Sequence, residues 1–206
     1  MNVVVIGAAG KTSQLIVERA VGAGHQVTAL VHSAKEYTAP TGVRVVVGDG
    51  SDQAAVDQVV DGQQAVIDAV GGSTPYLKTE LERTVAQTVV NAMQQHGVNR
   101  LIAISVLGLG DSKEQAGFVY EHLIMPTFLR GAREDKAAME NTIQHSNLQY
   151  VIVRPPYLSD DDAKGSVRVI TGDEKADSIT RVDLAQFIVD QLSSDTYINQ
   201  AVVVAN

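Results

Sequence analysis

The stretch that decides the fold is Asn2-Val3-Val4-Val5-Ile6-Gly7-Ala8-Ala9-Gly10-Lys11-Thr12-Ser13. A β-branched run that ends on glycine, followed within four residues by helical spacing, is typical of a buried parallel strand that turns tightly into a helix. The first helical turn leaves N–H groups unpaired at the positive end of the helix dipole, and nearby glycines let an anion approach the backbone. We predict that Gly7 makes the turn, that Gly10 admits a pyrophosphate, and that Ser13 allows close helix–strand contact.

Two other interpretations of this loop remain open. Many α/β proteins carry a glycine-rich first turn for steric reasons alone. Gly10-Lys11-Thr12 also supplies the GK[ST] ending of a P-loop, but the full motif needs a glycine five positions before Gly10, where this chain has Val5. A loop this short does not wrap a triphosphate, so nucleotide hydrolysis is the less favoured interpretation.

The composition limits the classes of protein to consider. With 206 residues, 45% of them hydrophobic, we predict a single domain over residues 1–206. The absence of cysteine excludes disulfides and thiolate sites, and the five histidines show no ligand spacing, so we expect no metal site. The net charge of −8 argues against a nucleic-acid partner. Because no apolar run reaches ~20 residues, we expect neither a signal peptide nor a membrane partner, and a cytoplasmic location.

The rest of the chain alternates strands with helices. We predict strands over 26–31, 43–47, 65–70, 101–106 and 150–153, and helices over 11–22, 51–62, 81–96 and 133–146. The last fifty residues break this rhythm, with a short strand at 167–170, a helix from Val182 and a final strand at 201–204. We expect the glycine-rich segment 107–132 to form a partly ordered lid. The alternation predicts a Rossmann-type doubly wound parallel sheet with helices on both faces and a small C-terminal extension.

Ligands of a doubly wound sheet bind at the carboxyl ends of its strands, and the distinctive residues of this chain follow those ends. The positions of these residues favour a dinucleotide site at this edge of the sheet. The predicted cofactor-binding residues are Gly7, Ala9, Gly10, Lys11, Thr12, Ser13, His32, Ser33, Lys35, Asp49, Ala69, Val70, Gly71, Ser105 and Pro155, with Lys136 on the sixth strand's preceding helix.

Simpler roles remain open for several of these residues. Ser105 could satisfy backbone groups at a strand end, Asp49 could form a turn, and Tyr157 could be a packing residue. Lys136 could be a solvated helix residue. The consecutive carboxylates of 160–162 suggest a metal site, but such runs in loops are usually just solvated.

The glycine-rich loop Gly7-Ala8-Ala9-Gly10-Lys11-Thr12 resembles that of the atypical short-chain dehydrogenase/reductases, in the NmrA-like branch with biliverdin reductase B and NAD(P)H-flavin reductases. The similarity continues in Val45-Val46-Val47-Gly48-Asp49, in Lys136-Ala137-Ala138-Met139-Glu140 and in residues 148–156, so it covers most of the chain. The resemblance implies a Rossmann fold that binds NAD(P)H.

Three departures from the family pattern bear on the reaction. Ser13 replaces a glycine, His32 replaces an arginine, and Ala132 stands where the tyrosine of a Tyr-x-x-x-Lys pair would precede Lys136. Without that tyrosine, chemistry at a secondary alcohol has no evident proton carrier. Reduction of a flavin or quinone asks less of the protein, which must mainly hold hydride donor and acceptor face to face.

We therefore expect an NAD(P)H-dependent reductase of a planar flavin-like or quinone-like acceptor, acting as a monomer or homodimer. Ser105 and Tyr157 are the predicted catalytic residues, with orientation as their main role, and residues 155–206 complete the acceptor side. We expect NADPH as the preferred cofactor and NAD as a possible one. An acidic residue directly after the second strand would bind the ribose 2′-OH and repel a 2′-phosphate, and the first acid in this segment is Glu36. The alternative is a non-catalytic NAD(P)-binding redox sensor that reports to a protein partner.

Overall fold

The structure, a computed structural model, describes residues 1–71, 79–117 and 130–206. Its strands are β1 (Asn2–Ile6), β2 (Gln26–Val31), β3 (Arg44–Val47), β4 (Ala65–Asp68), β5 (Arg100–Ile104), β6 (Gln149–Arg154), β7 (Tyr157–Ser159), β8 (Arg168–Ile170), β9 (Ser178–Thr180) and β10 (Gln200–Ala205). Its α-helices are α1 (Lys11–Gly22), α2 (Gln53–Val60), α3 (Leu81–His96), α4 (Arg130–Gln144) and α5 (Arg181–Asp190). Short 3-10 helices cover Ala34–Glu36 and Gly110–Lys113.

Eight of the described strands form one sheet in the order β3-β2-β1-β4-β5-β6-β10-β8. All neighbours in it run parallel except β8, which is antiparallel to β10. The chain moves outward from β1 in one direction to β3 and then in the other from β4, so the switch point lies between β1 and β4. This is the predicted Rossmann-type α/β fold.

Apolar side chains cover both faces of the sheet, as a parallel sheet requires. Val3 and Val5 of β1 belong to a buried cluster with α1 and α5, whereas Val4 and Ile6 belong to a second cluster with α2, α3 and α4. Because successive side chains of a strand point to opposite faces, the unbroken valine run supplies both cores.

Local sequence signals set most of the helix ends. Asp52 caps α2 by accepting a hydrogen bond from the Ala54 N–H, and Gly97 ends α3 in the left-handed region with a φ of 68°. The N-terminus of α3 is capped instead by Asp135 of α4, whose carboxylate accepts from the N–H groups of Glu82 and Arg83. That cap comes from a distant part of the chain.

Several boundaries differ from the predicted ones. β4 ends at Asp68, two residues before the predicted end. The Val70 N–H donates a hydrogen bond to the Asp68 carboxylate at 3.1 Å and so does not pair with a neighbouring strand. β5 ends at Ile104, two residues before the predicted end, although the N–H groups of Ser105 and Leu107 still donate to the carbonyls of Val153 and Pro155. The C-terminal segment also forms a small parallel sheet, β7 with β9, which the sequence did not indicate. Of the predicted lid over 107–132, residues 118–129 lie outside the described residues, whereas 110–113 form a 3-10 helix and 130–132 belong to the first turn of α4.

None of the described helices has the length and apolarity needed to cross a membrane.

Candidate dinucleotide site

Gly7 makes the tight turn after β1. Its φ of 77° lies in the left-handed region, and a Cβ atom there would come within 2.8 Å of Val70 Cγ2. The N–H groups of Gly7 and Ala8 both donate to the Leu30 carbonyl oxygen at 3.1 Å, which ties the turn to the end of β2. The turn therefore requires glycine at this position.

The N-terminus of α1 is open to an anion. Gly10 is its N-cap residue, no side chain of the described residues accepts a hydrogen bond at this cap, and the first turn carries no acidic residue. Ser13 is buried, as predicted for close contact, and the Ala9 carbonyl is held by the Gln14 side-chain amide at 2.8 Å. The first-turn N–H groups are thus presented on a fixed loop at the positive end of the helix dipole.

A cavity of about 350 Å³ opens beside this loop, at the switch point. That volume lies within the roughly 300–1,000 Å³ of typical small-molecule sites. Leu30 and Val85 give it apolar walls. Five residues of the predicted set line it: Gly7, His32, Asp49, Val70 and Gly71.

Asp49 combines a turn-forming role with a place in the cavity wall. Its Oδ1 accepts hydrogen bonds from the backbone N–H and the hydroxyl of Ser51, at 2.8 and 2.7 Å. These bonds, the backbone one above all, hold the pKa of the Asp49 carboxyl below its usual range. Its Oδ2 lies 3.9 Å from Nδ1 of His32, a side chain that is 86% exposed. An ionised carboxylate therefore faces the cavity beside an available imidazole.

Three other predicted residues, Ser33, Lys35 and Ala69, lie near these strand ends. Ser33 caps the 3-10 helix by accepting from the Lys35 N–H, and the Lys35 side chain is exposed. The Ala69 N–H donates to the Ile6 carbonyl at 3.1 Å, which holds the loop after β4 against β1.

Lys136 is buried, so its interpretation as a solvated helix residue is wrong. Only 7% of it is exposed, because its ammonium group lies beneath the ends of two neighbouring strands. It donates to the Ile104 carbonyl at 2.8 Å and the Val70 carbonyl at 3.3 Å, and it pairs with Glu82 Oε1 at 3.2 Å. Lys136 thus holds the ends of β4 and β5 together at the edge of the site.

Asp68 shares this buried charge cluster. Burial raises its pKa to about 6, although the Val70 N–H and Lys136 oppose the shift. Since the folded state keeps this proton where the unfolded state has lost it, stability falls as the pH rises from about 4 to about 6. We expect Asp68→Asn, which keeps the acceptor for Val70, to raise the free energy of unfolding by up to about 3 kcal/mol above pH ~7.

Urea unfolding across this pH range checks the Asp68 prediction. The gain should shrink below pH ~6 and vanish near pH ~4. Asp162→Asn, at an exposed position, is the matched control. A gain that does not change with pH would contradict the assigned cause.

A second buried network lies behind Ser105, and the sequence did not indicate it. The Ser105 hydroxyl donates to Glu140 Oε1 at 2.5 Å. Arg154 donates to both oxygens of Glu140, at 2.9 and 2.6 Å, and to Asp111 Oδ1 at 2.5 Å. Glu140 lies four residues after Lys136, on the same face of α4. Its pairing with Arg154 of β6 does not follow from any short-range sequence pattern.

Tyr157 begins β7 directly after two buried prolines. Pro155 accepts a hydrogen bond from the Leu107 N–H at 3.1 Å, which fixes the chain that leads to it. The tyrosine itself is 65% exposed. Its interpretation as a packing residue is therefore wrong, and its ring is available to a ligand.

Lys11 and Thr12, in the first turn of α1, contact the C-terminal segment. Lys11 pairs with Asp160, and the Thr12 hydroxyl accepts from Arg181. Within the described ranges, no group of three or more His, Cys, Asp or Glu side chains could hold a metal ion.

An α/β sheet with this turn and this cavity at its switch point falls in the class of dinucleotide-binding proteins. Comparison with protein families narrows the class. A family model described as NAD(P)H-binding matches residues 7–195, and the chain belongs to this family.

Individual proteins are similar to the chain in sequence or in fold. The chain is 29% identical to an uncharacterised chloroplastic protein of Arabidopsis thaliana, over 93% of this chain and 71% of that protein. It is 25% identical to ChuY, an anaerobilin reductase from Escherichia coli O157:H7, with a TM-score of 0.81 over 100% of this chain and 97% of that one. The oxidoreductase ylbE of Lactococcus lactis has the same fold, with a TM-score of 0.85 at 18% identity over 100% and 91% of the chains.

Proposed function

We propose that the protein is an NADPH-dependent reductase of a planar conjugated acceptor of the flavin or quinone type, in the branch of biliverdin reductase B. The observation that carries the proposal is the cavity at the switch point, bounded by the Gly7 turn that leads into the open N-terminus of α1. It offers an apolar slot beside an anion site, which is the pair of environments that a dinucleotide needs.

The residues of the site fit a dinucleotide. A side chain at Gly7 would collide with Val70, so the turn that bounds the cavity requires glycine at this position. Leu30 and Val85 suit the faces of an adenine ring, and Asp49 can accept a hydrogen bond from it. The exposed side chains of His32 and Lys35 are available to a ribose 2′-phosphate, which supports a preference for NADPH.

Bound NADPH supplies a hydride, and solvent supplies the proton. The chain's own contribution is orientation. Because the Ser105 hydroxyl proton is committed to Glu140, a group that binds this oxygen must itself donate, as the carboxamide NH₂ of nicotinamide does. Tyr157 offers an exposed aromatic face to a planar acceptor.

Substitutions at Tyr157 separate orientation from proton donation. Tyr157→Phe should keep most of the turnover, since the ring remains and water delivers the proton. Tyr157→Ala should raise KM for the acceptor by about 10-fold with a smaller change in kcat. Steady-state kinetics measure both effects. A fall in kcat of about 100-fold in Tyr157→Phe would identify a general acid and overturn the mechanism.

Oxidation of NADPH in the presence of FMN, menadione or biliverdin tests the proposal. Biliverdin is included because of the family resemblance and because ChuY is an anaerobilin reductase. Turnover with any one of these acceptors, and a lower Kd for NADPH than for NADH, are the expected results. Tight binding of NADPH without turnover of any acceptor would favour the redox sensor instead, and equal Kd values would refute the assigned preference.

A further inference from the structure

Three charged side chains meet at the first turn of α1. Lys11 opens that helix, Asp160 follows β7, and Arg181 opens α5. Lys11 Nζ lies 3.2 Å from Asp160 Oδ2, and Arg181 Nε lies 2.7 Å from Asp160 Oδ1. Arg181 Nη1 also donates to the Thr12 hydroxyl at 3.1 Å. One carboxylate therefore bridges two cations within hydrogen-bond reach of the α1 N-terminus.

The position of Arg181 is fixed by the packing of α5 on α1. Ile16 and Ala20 of α1 share a buried cluster with Leu184 and Ile188 of α5. Thr180 caps α5 by accepting a hydrogen bond from the Asp183 N–H, so α5 begins at a defined residue. The packing of α5 on α1 consequently places the Arg181 guanidinium beside the glycine-rich loop.

A stronger anion could replace the Asp160 carboxylate as the partner of Lys11 and Arg181. The side chains of Asp160 and Lys11 are 61% and 76% exposed, and exposed ion pairs add little to stability. Hydrogen bonds from Arg181, and secondarily from Lys11, lower the pKa of Asp160, so it is ionised at neutral pH. A diphosphate offers the same two cations more oxygens and more charge than one carboxylate does.

We propose that Arg181, together with Lys11, binds the pyrophosphate of the dinucleotide, and that Asp160 competes with the pyrophosphate for these cations. The inference rests on the proposed function, since it deepens the same site. Arg181 is a cofactor-binding residue contributed by the C-terminal segment. Asp160 sets the affinity: its carboxylate holds both cations in place in the free protein and must release them when the dinucleotide binds.

The direct test measures the Kd of NADPH for Asp160→Asn by fluorescence titration at low ionic strength. Removal of the competing charge should tighten binding by about 3- to 10-fold. Asp161→Asn is the matched control, because it removes the same charge one residue away and its carboxylate is exposed. Its Kd should stay within about twofold of the wild type. Equal Kd values for the two variants would overturn the competition.

Arg181 is tested with whole and truncated ligands. Arg181→Gln should weaken NADPH and ADP by at least about 10-fold and leave adenosine unchanged, because adenosine carries no phosphate. Arg181→Lys keeps the charge but loses the fork, so its loss should be smaller. Arg168→Gln, on an exposed arginine of β8, controls for net charge. Equal losses for ADP and adenosine would show that Arg181 only supports the fold, which thermal melting would then register.

The outcomes separate this inference from the proposed function. A wild-type protein that binds no NADPH refutes both. A wild-type protein that binds and turns over NADPH, with Asp160→Asn and Arg181→Gln unchanged in Kd, refutes the role of these two residues and leaves the proposed function standing.

Discussion

Replacement of Gly10 with glutamate is expected to abolish NADPH binding while the protein stays folded. Gly10 is exposed, and its φ of −66° is open to any residue. A Cβ there would lie 3.1 Å from Ser13 Oγ, so a small shift accommodates it. The new carboxylate would occupy the anion site at the α1 N-terminus, where negative charge stabilises the helix but excludes a pyrophosphate.

Titration with NADPH should show a loss of more than about 100-fold in affinity, while the thermal unfolding midpoint changes little. Gly22→Glu is the matched control. It places the same side chain at the other end of α1, where a new Cβ meets no atom of the described part of the chain within 4 Å. The Gly22→Glu protein should therefore bind NADPH normally. A folded Gly10→Glu protein with unchanged affinity would remove the dinucleotide from this loop.

Features that depend on neighbouring residues could be predicted from the sequence. The valine run of β1, the Gly7 turn and the Gly97 helix end each follow from a local pattern, and so does the sheet that they imply. The short strands β7 and β9 could not, because three residues carry too little periodicity to identify a strand.

The charged contacts beneath the site could not be predicted because their partners lie far apart in the chain. Lys136 reads as a solvated residue on a polar helix, but the fold places its ammonium under the ends of β4 and β5. Asp135, the residue before it, caps α3 from a distance of more than fifty residues. Spacing along one helix shows which side chains share a face, and only the packing of that helix shows what the face meets.

These contacts give α4 a specific task at the edge of the sheet. Lys136 holds the ends of β4 and β5, and Glu140 joins Ser105 of β5's end to Arg154 of β6. One helix thus fixes three consecutive strand ends, which are the ends that carry the proposed nicotinamide side of the site. Ala132, which stands where the short-chain dehydrogenases carry their tyrosine, belongs to the same helix. α4 therefore has these structural contacts but lacks the catalytic tyrosine.

Arg154→Met is expected to be the most destabilising single substitution in this network. Arg154 is 3% exposed and makes two of the hydrogen bonds to Glu140, itself 5% exposed. Without the guanidinium, the Ser105 hydroxyl is the one partner that the buried carboxylate of Glu140 keeps among the residues that the structure describes. Leaving a buried charge unpaired costs about 3–5 kcal/mol. Urea unfolding at neutral pH measures this loss.

Two further variants assign the Arg154 effect to the buried carboxylate. Adding Glu140→Met to Arg154→Met removes the stranded charge, so the double variant should regain most of the lost stability. Asp111→Asn breaks the third contact of Arg154, but the Asp111 side chain is 85% exposed, so its loss should stay below about 1 kcal/mol. If Arg154→Met alone costs no more than Asp111→Asn, then Glu140 does not depend on Arg154, and the fixed orientation of Ser105 needs another cause.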